Sequence, residues 1–197
     1  MKVRLATAED ADAIVRTLVR AFADDPFVQW IVRPGARADR ALRRYMELAL
    51  SRMTLPHGAV YTTDDRACAA LWAPPGTWDL SIGEQLSLLP SVARIVGLSR
   101  LALVARGLGA VEDRRPPPPW WFLALLGTDP AARGRGLGTA VMRPVLDRCD
   151  HERVAAILDT CVERNVRFYE RFGFRVIGEV PLPGGPRCWS MVREPQV

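Results

Sequence analysis

Lysine is almost missing from this chain. Lys2 is the only one, and arginine supplies the rest of the 27 cationic side chains, set against 22 Asp and Glu for a net charge of +5. A Walker-type phosphate loop needs G-x-x-x-x-G-K-[ST], so it is excluded. The arginines are scattered rather than gathered into a stripe. They read as the bias of a GC-rich coding sequence and not as a nucleic-acid surface. Histidine is scarce too: His57 and His151 lie in polar stretches and receive no role. The four cysteines, Cys68, Cys149, Cys161 and Cys188, include no C-x-x-C pair. They read as small buried residues, and no metal is expected. The N-terminus "MKVRLATAED" has no apolar signal region, and the longest apolar run, "WWFLALL", is far short of a ~20-residue membrane span. A cytoplasmic protein with no membrane partner is the expectation.

The length of 197 residues suits one domain spanning 1–197. "KVRLAT" reads as a first strand. Thr7 followed by Asp10 is a helix-start signal, and Ile14, Val15, Leu18, Val19 and Phe22 recur at helical spacing to about Ala23. "DDPFVQWIVRPG" is a loop with room for a short helix, and Leu42 to Met53 mark a second helix. "GAVYTT" and "ACAALWA" form a hairpin around Asp64–Asp65. Pro74 to Pro119 is an insertion of two or three short helices between the third and fourth strands, the clearest around Val92–Arg106. "WWFLALLG" is apolar on both faces, as a central strand should be. A helix to about Asp150 follows, which Pro144 should kink. "VAAILDT" is a second central strand, "NVRFYERFGF" a short helix ending at Gly173, and "RVIGEVPL" with "RCWSMVR" a final hairpin. The fold class is α/β, a mixed sheet flanked by helices.

The segment "RGRGLG", Arg133 to Gly138, opens the helix that follows "WWFLALLG". A helix start offers unpaired N–H groups and partial positive charge, glycines let an anion approach the backbone, and arginines add charge-assisted contacts. The loop is built for an anion, pyrophosphate above all; a solvated glycine-rich turn is the plain alternative. A dinucleotide fingerprint fits poorly, because Thr139 stands where its third glycine should be and the strand ends near Gly127, although Asp159 at the end of the next strand supplies an acid. R-x-x-G-x-G fits Arg133, Gly136 and Gly138.

That pattern resembles the pyrophosphate loop of the GCN5-related N-acetyltransferases (GNAT). "LLGTDPAARGRGLGTAV" is similar to their strand, turn and acetyl-coenzyme A (acetyl-CoA) loop, and "RNVRFYERFGF" to the later helix that carries an asparagine and a tyrosine near the cofactor. Within the family, "VRLAT", "AFAD", "WFLA", "GLGTAV" and "GPRCW" fall in the order of the puromycin-acetylating branch, over nearly the whole chain except the insertion. The resemblance implies a mostly antiparallel central sheet and direct transfer of acetyl from acetyl-CoA to a primary amine of a small molecule, with antibiotics and other natural products among the candidates. A protein or peptide acetyltransferase and a silent acyl-CoA sensor are the rival readings. Monomer and homodimer stay open.

The resemblance also assigns residues. Leu126, Thr128, Arg133, Gly134, Arg135, Gly136, Leu137, Gly138, Thr139 and Asn165 would bind the cosubstrate; Asn165 either bonds its pantetheine or caps its helix. A backbone N–H on the Leu126–Thr128 strand would stabilise the developing oxyanion. Tyr169 would serve the leaving thiolate. Reference values of ~10 for tyrosine and ~8.5 for a thiol put full proton transfer about 2 kcal/mol uphill, so a hydrogen bond serves at least as well. Asp159, Asp24 and Asp25 are candidate bases through water, and Asp159 joins Tyr169 as the catalytic pair. Where the family's strand ends in Glu-Thr this one ends in Asp159–Thr160, one methylene shorter. Cys161 lacks a His–Asp partner pattern and is not read as a nucleophile. Phe27, Trp30 and Trp78 are assigned to the amine pocket, because the insertion leaves and rejoins the sheet beside the reacting strand.

Overall fold

The computed structural model describes residues 2–78 and 81–196; Asp79 and Leu80, inside the predicted insertion, and both terminal residues lie outside the described residues. The strands are β1 (Val3–Leu5), β2 (Val60–Thr63), β3 (Cys68–Ala73), β4 (Trp120–Thr128), β5 (Ala155–Thr160), β6 (Arg175–Pro181) and β7 (Arg187–Arg193). They form a seven-stranded sheet in the order β1-β2-β3-β4-β5-β7-β6. Every neighbouring pair is antiparallel except β4–β5. The helices are α1 (Ala11–Ala21), α2 (Pro26–Ile31), α3 (Ala38–Leu48), α4 (Ile82–Val96), α5 (Leu101–Glu112), α6 (Leu137–Glu152) and α7 (Glu163–Glu170). This is the mixed, mostly antiparallel α/β architecture expected, with α4 and α5 inserted between the third and fourth strands.

Local sequence explains most of the boundaries. Asp10 Oδ2 accepts the Thr7 backbone N–H at 2.9 Å, which fixes the turn into α1. The Ile14 and Leu18 side chains of α1 are fully buried on the sheet, worth about 2 kcal/mol each. Asp25 caps α2, accepting N–H bonds from Phe27 and Val28 at 3.0 Å, with Pro26 in the first turn. The predicted second helix is α3 extended by a π-type turn over Ala49–Thr54, where Thr54 Oγ1 bonds the Ala49 carbonyl at 2.9 Å.

One expectation is corrected. The helix placed around Val92–Arg106 is two helices. Gly97, at φ +87°, ends α4, and the chain turns by 101° into the next helical segment. The apolar periodicity continued across a glycine that the backbone uses as a corner. Pro144 lies inside α6, which runs from Leu137 to Glu152 as one helix. Among the described residues no single helix is long and apolar enough to cross a membrane.

The two faces of the sheet carry different layers. Trp121, Leu123 and Leu158 pack with Val141, Met142 and Val145 of α6. On the other face, α1, α3 and α5 share a core with Leu71 and Leu125. Near the centre the sheet opens. β4 and β5 pair from Trp120–Ala155 to Leu123–Leu158 and no further, although β4 continues to Thr128. The β3–β4 register skips Ala124, a bulge that turns β4 at the same place. Beyond Leu123, the β4 edge toward β5 therefore has no strand partner.

Candidate active site

The gap between β4 and β5 is filled from both ends by cavities. A broad cleft of about 1160 Å³ lies over the start of α6 and beside α7. A narrower cavity of about 290 Å³ runs under α3, α4 and α5. Phe22, Asp25, Leu126, Cys161, Asn165 and Tyr169 line both, so the two spaces meet at one wall.

The cleft holds most of the predicted anion loop. Arg133, Gly134, Gly136, Leu137, Gly138 and Thr139 line it, with Leu126 and Thr128 of β4. Gly134 and Gly136 have φ of +79° and +74°, and no atom lies within 4 Å of where their Cβ would stand. Other residues resist that backbone conformation, and the space a side chain would take is left open. No side chain caps α6 at Gly136, so its first-turn N–H groups face the cleft without a protein acceptor. Arg135 is the exception: it does not line the cleft, and its positive charge acts on Asp65 instead. In this conformation Arg133 lines the cleft and Arg135 does not. Cleft volume, bare helix start and glycine cradle together fit a pyrophosphate-bearing cosubstrate such as acetyl-CoA.

Asn165 does not cap its helix. The cap position of α7 is Val162, with no side-chain cap bond, and the Asn165 side chain faces the shared wall. Tyr169 is almost buried, its ring edge-on to Phe168 and Phe174 at 5.2 and 5.9 Å. Its hydroxyl has no protein partner and is not sealed off. Burial, then the nearby Asp25 charge, raises its pKa above the ordinary tyrosine value, so it stays protonated. The same causes raise Tyr45, in the wall of the narrower cavity.

Asp25 is the carboxylate at the junction. Burial raises its pKa, against the pull of the Val28 and Phe27 N–H groups and the Arg164 charge. One oxygen takes both cap bonds and the other is free. Asp24 is exposed and lines only the cleft.

Asp159 lies elsewhere and is engaged. Its carboxylate accepts from Arg115 Nη2 and from Ser190 Oγ, each at 2.7 Å, on the wall of the narrower cavity. Both oxygens are held away from the junction, which argues against the base role predicted for it. Phe27 and Trp78 line the same cavity, Trp78 edge-on to Phe122 at 4.4 Å. Trp30 does not line it. It is buried behind Phe27, where Nε1 donates to the Pro183 carbonyl at 3.0 Å and the ring fills space left by Gly107 and Gly185. Arg115, Ser190 and Tyr45 were not anticipated from sequence. The one signal for Arg115 is its place, held by a stiff proline run where the insertion returns to β4. Among the described residues no group of three or more His, Cys, Asp or Glu is arranged to hold a metal ion.

Known proteins share this fold. The Acetyltransferase (GNAT) family profile matches residues 94–174. An uncharacterised N-acetyltransferase of Schizosaccharomyces pombe is 23% identical over all of this chain and 84% of its own length. A solved structure described as histone acetyltransferase HPA2 and related acetyltransferase, from Corynebacterium glutamicum, is 25% identical with a TM-score of 0.72, covering 100% of this chain and 97% of that one. The polyamine N-acetyltransferase of Drosophila melanogaster, described as forming N-acetylagmatine, has the same fold at 20% identity and a TM-score of 0.66, covering 98% and 99%.

Proposed function

We propose that this chain, an acyltransferase of the GNAT superfamily, acts as a single domain that acetylates a primary amine on a small molecule, using acetyl-CoA. The observation that carries the reading is the shared wall: a cleft suited to a pyrophosphate and a mostly apolar cavity meet at Asp25, Asn165 and Tyr169. When bound, acetyl-CoA supplies an activated thioester carbonyl. The loop from Arg133 to Thr139, without Arg135, holds its pyrophosphate. The unpaired edge of β4 at Leu126 orients the arm through backbone groups. Cavity and insertion exclude water and seat the amine.

Asp25 moves the proton. Its free oxygen faces the junction, and a raised carboxyl pKa brings it nearer the working pH of a base. Tyr169 holds a proton for the departing sulfur. Because its pKa is raised, full transfer is further uphill than the ~2 kcal/mol of the reference values, so it donates a hydrogen bond. The two residues are coupled. A proton taken up by Asp25 removes the negative charge that helps to raise Tyr169, and so makes the tyrosine a better donor as the thiolate forms.

The narrow cavity under α3, α4 and α5 favours a small molecule over a peptide, and a retained donor–acceptor pair favours an enzyme over a sensor. The volume of about 290 Å³ sits at the lower edge of ligand pockets. That supports an amine smaller than puromycin, despite the sequence likeness to its acetyltransferases. An acetylation screen over an amine panel, puromycin and a peptide included, read by mass spectrometry, tests the reading. It predicts acetylated small amines; acetylation of the peptide alone, or of nothing, would overturn it.

A further inference from the structure

Building on that reading, the geometry points to a substrate class: an amine on a short aromatic body whose far end carries a neutral hydrogen-bond acceptor, read by Arg115. The guanidinium lies over the Phe122 ring at 4.3 Å, and Trp78 stands edge-on to the same ring. One wall of the cavity is therefore aromatic and ends in a cation. Nη2 is committed to Asp159 at 2.7 Å. Among the described residues Nη1 has no hydrogen bond; a Glu112 carboxylate oxygen lies 3.9 Å from it. Nε is buried without a partner. A pair held this deeply, with one N–H unsatisfied, is a poor device for stability. It is a good device for presenting Nη1 to a ligand.

Position sets the ligand's length. Asp159, near the end of β5, and Cys161, two residues on, both line the cavity, and Cys161 is in the shared wall. Two strand residues span about 7 Å. An amine at the junction thus meets Arg115 with its other end if it has the length of a 2-arylethylamine substituted at the para position. Charge sets the acceptor. Asp159 already offsets Arg115, and Glu112 stands beside it, so a substrate carboxylate would be a third anion on one guanidinium. A second ammonium or a substrate guanidinium would face Arg115 itself. Its one accessible counter-ion is Glu112, whose side chain is 58% exposed at the rim. Arg115 is a specificity-determining residue here, and Asp159 a positioning residue.

The test compares kcat/KM for 2-(4-methoxyphenyl)ethylamine and 2-(4-ethylphenyl)ethylamine, near-isosteres that differ in one acceptor oxygen. The 4-carboxy analogue and agmatine complete the set. The wild type is expected to favour methoxy over ethyl by about tenfold, the worth of one hydrogen bond to a charged donor. Arg115→Met should bring that ratio to about one. Asp159→Asn keeps an acceptor for Ser190 but releases the Arg115 charge, so it should raise kcat/KM for the carboxy analogue relative to methoxy, a shift that loss of packing alone would not produce. A wild-type ratio near one, or a wild-type preference for agmatine or the carboxy analogue, overturns the inference while leaving amine acetylation standing. A preference that persists in folded Arg115→Met also overturns it. If Arg115→Met does not fold, the wild-type ratio and Asp159→Asn decide. If the wild type acetylates none of these nor any panel amine, the underlying reading fails and this inference with it.

Discussion

Replacing Asp25 by asparagine separates chemistry from structure at one residue. The side chain does two things: it caps α2 through bonds to Phe27 and Val28 at 3.0 Å, and it places a carboxylate at the junction of the cavities. Asparagine caps a helix about as well as aspartate, so the first task survives. The second is lost, and removal of a general base costs 10²–10⁴-fold, about 3–5 kcal/mol in the barrier. Stability should move the other way. The folded pKa is raised by burial, so the ionised form costs stability above that pKa, and the cost vanishes as pH falls below the unfolded value of ~3.9. Asp25→Asn removes the charge at every pH and should melt no lower than wild type at neutral pH. Asp25→Ala should lose the cap as well, about 1 kcal/mol. The wild-type pH–kcat profile should show an acid limb with its midpoint above the ordinary carboxylate range, absent in Asp25→Asn. An Asp25→Asn enzyme with wild-type kcat, or with the acid limb intact, would refute the assignment.

Three further outcomes follow from the geometry. Gly136→Val forces a β-branched residue to φ +74° and puts a side chain into the cradle; acetyl-CoA affinity by calorimetry should fall at least about tenfold, with the circular dichroism spectrum unchanged. Trp78→Ala should raise KM for the amine and leave KM for acetyl-CoA in place, whereas Trp30→Ala should lower stability by about 3–5 kcal/mol in urea unfolding, because Trp30 fills core space rather than the cavity wall. Asp10 is buried against Arg4 at 2.6 Å and Arg66 at 2.7 Å, which holds its carboxyl well below the usual range. Its contribution is complete above about pH 4 and fades as pH falls toward the depressed folded value; Asp10→Ala should cost about 2–3 kcal/mol at pH 7 and flatten the acid limb of the stability curve.

The parts legible in the sequence are those encoded locally. The apolar pattern of β4 and β5, the glycine loop at α6 and the helix-start signal at Thr7 act over a few residues, and each element forms where its own sequence specifies it. The errors share a different origin. Trp30 and Phe27 sit three residues apart on α2, and only the turn at Pro183, 153 residues away from Trp30, decides which ring faces the cavity. Asp159 was a candidate base from the acid at the end of its strand; its bond to Arg115, 44 residues away, is a contact no local pattern encodes. Asp25 stood among three candidate bases, and its place at the junction depends on how α1, α2 and α7 close around the gap in the sheet. The bulge at Ala124 left no mark in "WWFLALLGT", yet it opens the site.

The central claim is that acetyl transfer occurs at the wall where the two cavities meet. Tyr169→Phe removes one oxygen atom from that wall, where it has no protein partner, and leaves the ring packed on Phe168 and Phe174. Measured with the best amine of the panel, single-turnover acetylation should slow by about tenfold or more while the Kd for acetyl-CoA stays at its wild-type value. An unchanged turnover rate, or a loss accounted for by weaker acetyl-CoA binding, would contradict the account.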